Sequence, residues 1–140
     1  MVLPSQTLTT QYVYDSYERL AGVIPPKLYD WFVANGSGQA LFFYLNGNPD
    51  TPNPQFTDNA YVYRYDARGR VIRKHLPSSG WTDLVYDQLD RLVMSQDEQD
   101  KAQGRWRFTR YDGLNRVVAT GRMALSRSAD ELRTDFAGVS

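Results

Sequence analysis

Three short stretches decide the fold: Tyr65-Asp66-Ala67-Arg68-Gly69-Arg70-Val71, Tyr86-Asp87-Gln88-Leu89-Asp90-Arg91-Leu92 and Tyr111-Asp112-Gly113-Leu114-Asn115-Arg116-Val117. All three obey the pattern Tyr-Asp-x-x-x-Arg-(Leu/Val), and their tyrosines are spaced by 21 and 25 residues. A fourth copy, Tyr14-Asp15-Ser16-Tyr17-Glu18-Arg19-Leu20, lies 51 residues before the first of these. A unit recurring at such intervals is the mark of a repeat architecture, in which each copy is one supersecondary element.

One copy reads as a β-hairpin. Before each Tyr-Asp stands an aromatic and β-branched run, such as Tyr61-Val62-Tyr63-Arg64-Tyr65, Trp81-Thr82-Asp83-Leu84-Val85-Tyr86 or Trp106-Arg107-Phe108-Thr109-Arg110-Tyr111. After each Arg stands another, such as Val71-Ile72-Arg73-Lys74 or Val117-Val118-Ala119-Thr120. The residues between Tyr and Arg suit a loop built round a type I turn, with the Asp carboxylate accepting backbone N–H bonds. The fourth loop position calls for a left-handed backbone. Gly69 adopts it freely and Asp90 and Asn115 tolerate it, whereas Glu18 fits less well. The first hairpin is therefore expected to be the least regular. Tyr and Arg of one copy are expected to face each other across the neck, with the guanidinium on the phenol ring or on the Asp.

Outward from the hairpins the chain divides into a first hairpin over 1–24, an insert over 25–59, three hairpins over 60–122 and a helical tail over 123–140. In the insert, Lys27 to Ala34 carries apolar residues at helical spacing, and Gln39 to Leu45 is a continuous apolar run. Asn46 to Asn59, with three prolines, is a long loop. Ser128-Ala129-Asp130-Glu131 is a capping box that opens a helix through about Phe136. The expected fold is mainly β: antiparallel hairpins forming an open curved sheet with one or two short helices.

Composition agrees. The 140 residues are 41% hydrophobic and 14% aromatic, with ten tyrosines and a formal net charge of +0. Thirteen of the sixteen basic residues are Arg. That balance lacks the long-range positive field of a nucleic-acid binder. Without cysteine, disulfides, thiolate nucleophiles and thiolate metal sites are excluded. No apolar run approaches the roughly 18–20 residues of a membrane span, and Met1 to Thr10 does not read as a signal peptide.

The hairpin motifs resemble the YD repeats of the Rhs and teneurin-like superfamily. Tyr61 to Gly121 is similar to the Rhs-repeat proteins common in Bacteroidetes, and Tyr12 to Lys27 resembles a preceding repeat. The resemblance implies a continuous sheet of hairpins that closes into a hollow shell around a C-terminal cargo, often a toxin, or an adhesive surface protein. It thus implies a secreted or cell-surface location and a wall element in place of an active site. The motif residues Tyr14, Asp15, Arg19, Tyr65, Asp66, Arg70, Tyr86, Asp87, Arg91, Tyr111, Asp112 and Arg116 are then structural. The family's Asp-Pro-containing autoproteolysis motif is missing, and four repeats are too few to close a shell. The chain accordingly reads as a piece of a longer protein, or as a subunit that pairs through its sheet edges.

Sharper chemistry finds less support. His75, the single histidine, is expected on a strand surface and not as a base or ligand. Asp97, Glu98 and Asp100 lack the spacing of a calcium loop and are expected in a solvated hairpin loop. No catalytic constellation, metal site or cofactor is expected. The alternative is a carbohydrate-binding or adhesion module, using Trp81, Trp106 and Phe108 as an exposed stacking face beside Arg105, Arg107 and Arg110.

Overall fold

A computed structural model describes residues 8–35 and 58–137. Among these residues the fold is mainly β, with antiparallel strands in one open eight-stranded sheet and short helices. The strands are β1 (Gln11–Tyr14), β2 (Leu20–Ile24), β3 (Tyr61–Tyr65), β4 (Val71–Leu76), β5 (Gly80–Tyr86), β6 (Leu92–Gln96), β7 (Arg105–Tyr111) and β8 (Val117–Ala124). They hydrogen-bond in chain order, β1 through β8, so every connection joins nearest neighbours. The helices among the described residues are α1 (Pro26–Asn35), α2 (Glu98–Ala102) and α3 (Ala129–Phe136).

The chain forms two compact units. One holds the residues up to Tyr63 together with His75–Ser79; the other holds Arg64–Lys74 and the chain from Gly80 onward. In the first unit β1 pairs with β2 and β2 with β3, the latter through Gly22↔Val62 and Val23↔Tyr61. Its buried apolar side chains among the described residues are Val13, Ala21, Ile24, Leu28, Phe32, Ala60 and Val62. α1 begins at Pro26, where a missing N–H costs nothing. The expected Gln39–Leu45 run and the Pro-rich loop lie outside the described residues.

In the second unit β5–β6 and β7–β8 are hairpins, and β6 pairs with β7 through Met94↔Phe108 and Ser95↔Arg107. Its core is Val85, Val93, Met94, Trp106 and Leu132, with Phe108, Tyr111, Leu125, Ala129 and Phe136 packed around it. α3 supplies Leu132 and Phe136 to this core. Ser128 caps it by accepting from the Glu131 N–H at 3.2 Å, the capping box expected of that sequence.

Three expectations are corrected. His75 is only 2% exposed, with Nδ1 at 2.9 Å from the Ala60 carbonyl, so it is a core group and not a surface one. Residues 98–102 form helix α2, not a solvated hairpin loop, because Asp97 caps it by accepting from the Asp100 N–H at 2.7 Å. The first hairpin is as regular as the others at its turn, as its hydrogen bonds show below.

Candidate functional site

The motif residues build one turn four times. In the second hairpin the Asp66 N–H donates to the Arg70 carbonyl and the Gly69 N–H to the Asp66 carbonyl, both at 3.0 Å. Asp66 Oδ1 accepts the N–H groups of Arg68 and Arg70 at 2.9 and 3.0 Å, and Oδ2 accepts Arg70 Nε at 2.7 Å. One carboxylate thus satisfies two turn amides and one guanidinium, which short side chains such as Asp are suited to do.

The bonds recur on Asp15, Asp87 and Asp112 with lengths between 2.7 and 3.0 Å. The fourth loop position is left-handed throughout: φ is 62° at Glu18, 78° at Gly69, 60° at Asp90 and 62° at Asn115. Carboxylate anchoring is therefore strong enough to hold even Glu18 in the left-handed region. Register slips by one residue between Val13 and Tyr14, Val85 and Tyr86, and Arg110 and Tyr111, so each of those hairpins carries a bulge beside its motif tyrosine.

Electrostatics follow the bonds. For Asp66 and Asp87 partial burial pushes the carboxyl upward, yet hydrogen bonds from the backbone and guanidinium of Arg70 or Arg91 hold it below the ordinary range. The backbone N–H and then the guanidinium of Arg116 lower Asp112 in the same way.

The tyrosines do not face their own arginines in the second unit. The Arg70 guanidinium lies over the ring of Tyr86, 5.0 Å from its centroid, and Arg91 lies 4.7 Å from Tyr111. Each ring therefore belongs to the following hairpin. Tyr86 Oη donates to the Val71 carbonyl and Tyr111 Oη to the Leu92 carbonyl, each at 2.7 Å. The same guanidinium reaches the following hairpin's left-handed residue: Arg70 Nη1 to Asp90 Oδ1 at 3.1 Å, and Arg91 Nη1 to Asn115 Oδ1 at 3.0 Å. Tyr, Asp and Arg are thus a clasp between successive repeats as well as within one. In the first hairpin Arg19 lies over Tyr17, at 4.9 Å.

Of the aromatic residues expected to form a stacking face, Trp106 is 0% exposed and buries its indole in the core while its Nε1 donates to the Arg127 carbonyl at 3.2 Å. Trp81 is covered by Arg73 at 4.4 Å. Phe108 lies with Met94, Tyr111, Met123 and Phe136 along a groove of about 570 Å³. Of the groove's charged residues Asp87 and Arg91 already bond each other, Arg110 is the third, and the rest of the lining is mainly apolar.

A cluster not anticipated from the sequence surrounds Asp100, whose side chain is fully buried. Its Oδ1 accepts Arg105 Nε and its Oδ2 accepts Arg107 Nε, each at 2.9 Å, with Arg122 at 3.8 Å. Burial raises this carboxyl, but the Arg105 bond, the Asp97 backbone and the Arg107 charge together hold it low. The signal was present in Asp97-Glu98-Gln99-Asp100, a cap pattern, followed by arginines at alternate strand positions 105 and 107. Glu98 accepts from the Trp81 N–H at 3.1 Å. All three acids of the possible calcium loop are therefore spoken for. Among the described residues no group of His, Asp or Glu is arranged to hold a metal, and no helix is long and apolar enough to cross a membrane.

No family model and no curated protein matches the sequence. Solved structures do. The chain is similar to the crystal structure of TcdB2-TccC3, with a TM-score of 0.57 at 19% identity over 85% of this chain and 5% of that one. It is similar to TcdB2-TccC3 without its hypervariable C-terminal region, with a TM-score of 0.56 at 17% identity over 95% of this chain and 6% of that one. A Photorhabdus luminescens Tc holotoxin pore gives 0.53 at 17% identity over 92% and 6%. The chain spans about a twentieth of the length of the chains it matches. At these identities the likeness is one of fold alone.

Proposed function

We propose that this chain is a non-catalytic wall segment of a secreted Rhs-type shell or surface scaffold, whose parent protein encloses a toxin or other cargo. The observation that carries the reading is the clasp between repeats. The charged and phenolic groups of the motif, which in an enzyme would converge on a substrate, here bond one another and the backbone of the adjoining hairpin. A polar group held that way fixes geometry and register, and is unavailable for acid–base work on a ligand. The likeness to segments of TcdB2-TccC3 supports the same reading, since those chains are far longer and this one corresponds to a short stretch of them.

The carbohydrate-binding alternative has less behind it, because the indole of Trp106 is inside the core and that of Trp81 is under Arg73. The test is to produce the chain together with the repeats encoded around it, image the product by electron microscopy and treat it with protease. A hollow particle that shields an enclosed segment from cleavage is the expected result. A turnover activity abolished by one substitution in this chain, or glycan binding lost on Phe108→Ala, would overturn the wall reading.

A further inference from the structure

The clasp has three parts at each junction of the second unit. The motif Arg stacks on the next tyrosine, the carbonyl one residue after that Arg accepts the tyrosine hydroxyl, and the Arg reaches the next left-handed residue. At β8 the first half of a clasp stands without its second half. Arg116 has 72% of its side chain exposed, against 23% for Arg70 and 26% for Arg91, which are covered by tyrosines. At β1 the second half stands without the first. Tyr14 is 56% exposed, and Glu18 occupies the left-handed position with φ of 62°. Among the described residues the Glu18 carboxylate enters no ion pair.

We propose that the β8 edge of one chain pairs with the β1 edge of a second copy, completing the clasp between them. Tyr14 of the second copy then covers Arg116 and donates to the Val117 carbonyl, and its Glu18 receives the Arg116 guanidinium. Charge favours this occupant. The two junctions of the second unit offer Arg an Asp or an Asn at that position, and the turn after β1 offers the longer carboxylate of Glu18. A left-handed Glu is costly for its own hairpin, so a use outside the hairpin accounts for a residue that local stability disfavours.

The register follows from the existing junctions. Gly22↔Val62 and Met94↔Phe108 each join the third residue after a motif Arg to the third residue before the next motif Tyr, and Val23↔Tyr61 and Ser95↔Arg107 join the fourth to the fourth. Across the edges this places Ala119 opposite Gln11 and Thr120 opposite Thr10 of the second copy. The edge is also little protected against pairing. β8 exposes Val117, Val118 and Met123, has no proline, and has Arg122 as its one charged residue. Such an interface joins unlike surfaces head to tail.

This goes beyond the wall reading by naming a second copy for edges that adjoining repeats of the parent protein would otherwise cover. The chain has no cysteine, so paired thiols report register cleanly. Gln11→Cys and Ala119→Cys chains, each otherwise complete, are mixed under mild oxidation. A disulfide-linked heterodimer should form on the order of tenfold faster than in a mixture of Gln11→Cys with Arg122→Cys, since a disulfide demands close Cβ atoms. In sedimentation velocity the parent should associate as its concentration rises. Glu18→Gly should keep its folded signal yet associate about fivefold more weakly, as expected for one exposed ion pair. A parent that stays monomeric, equal rates for the two thiol mixtures, or undiminished association of Glu18→Gly would each overturn the proposal. A monomeric chain that still builds a protease-resistant shell with its adjoining repeats ends the self-pairing and leaves the wall reading intact. A self-pairing chain that also shows turnover does the reverse.

Discussion

Removing one carboxylate oxygen at a time from Asp87 measures how far a turn is held by its motif acid. Asp87 Oδ1 accepts the Leu89 and Arg91 N–H groups at 2.9 and 3.0 Å, and Oδ2 accepts Arg91 Nε at 2.8 Å. The pair is mostly sheltered, with side chains 16% and 26% exposed. A hydrogen bond to a charged group contributes about 1.5–3 kcal/mol, and bonds sharing one acceptor are not additive. Arg91 also keeps its stack on Tyr111 and its bond to Asn115 after the acid is gone. Asp87→Ala is therefore expected to cost about 2–3 kcal/mol. Asp87→Asn keeps the Oδ1 acceptor for both amides and gives up the bond to Nε, so about 1 kcal/mol is expected. Urea unfolding followed by Trp fluorescence in a Trp31→Phe background reads the second unit, and hydrogen exchange at the Asp90 and Arg91 amides reads the turn. The folded carboxyl sits below its unfolded value, so its contribution is complete above roughly pH 4 and is lost as pH falls through the lowered value. The gap between parent and Asp87→Asn should accordingly narrow in acid. Asp87→Ala within about 0.5 kcal/mol of the parent would refute the anchoring role. So would Asp87→Asn matching Asp87→Ala at neutral pH.

Glu18→Gly relieves a left-handed residue at φ of 62° and should raise the stability of the first unit by about 1 kcal/mol, checked by the urea midpoint. Gly121→Ala places a methyl 2.9 Å from the Phe108 ring across the β7–β8 pair and should cost about 1–3 kcal/mol, with a matching loss of thermal stability. Tyr111→Phe removes the 2.7 Å bond to the Leu92 carbonyl while keeping the ring under Arg91, and should cost about 1 kcal/mol by the same unfolding assay. Trp106→Ala empties a wholly buried site against Leu132 and should cost about 3–5 kcal/mol, with α3 losing exchange protection.

What the sequence made legible were the features set by local chemistry. Four copies of Tyr-Asp-x-x-x-Arg located the turns, and the left-handed position fell where Gly69, Asp90 and Asn115 pointed. The helices from Pro26 and from Ala129 were legible through apolar spacing and a capping box. Harder to read was anything that depends on what lies across the sheet. His75 alternates with polar neighbours and looks solvated, but its ring is buried against Ala60. Trp106 and Phe108 look like a binding face among arginines until Leu132 and Phe136 arrive from a helix more than twenty residues later. Asp100 looks like one more loop acid, because its partners Arg105, Arg107 and Arg122 are gathered by two different strands.

The pairing of Arg with the following tyrosine shows why the motif itself was read half correctly. Within one copy Tyr and Arg flank the same turn, and either could meet the other across the neck. The bulge beside Tyr86 and Tyr111 shifts the register there, and the ring is held on the preceding strand by its hydroxyl. A motif that looks self-sufficient in sequence is thus only half of a contact whose other half lies in the adjoining repeat. The number of repeats then fixes how many halves are left over at the edges, namely Arg116 at β8 and Tyr14 with Glu18 at β1. The motif pairs contribute to the neutral net charge by the same logic. Each motif arginine is matched by its own aspartate, so a further repeat of this kind adds hydrogen bonds between repeats without building up charge.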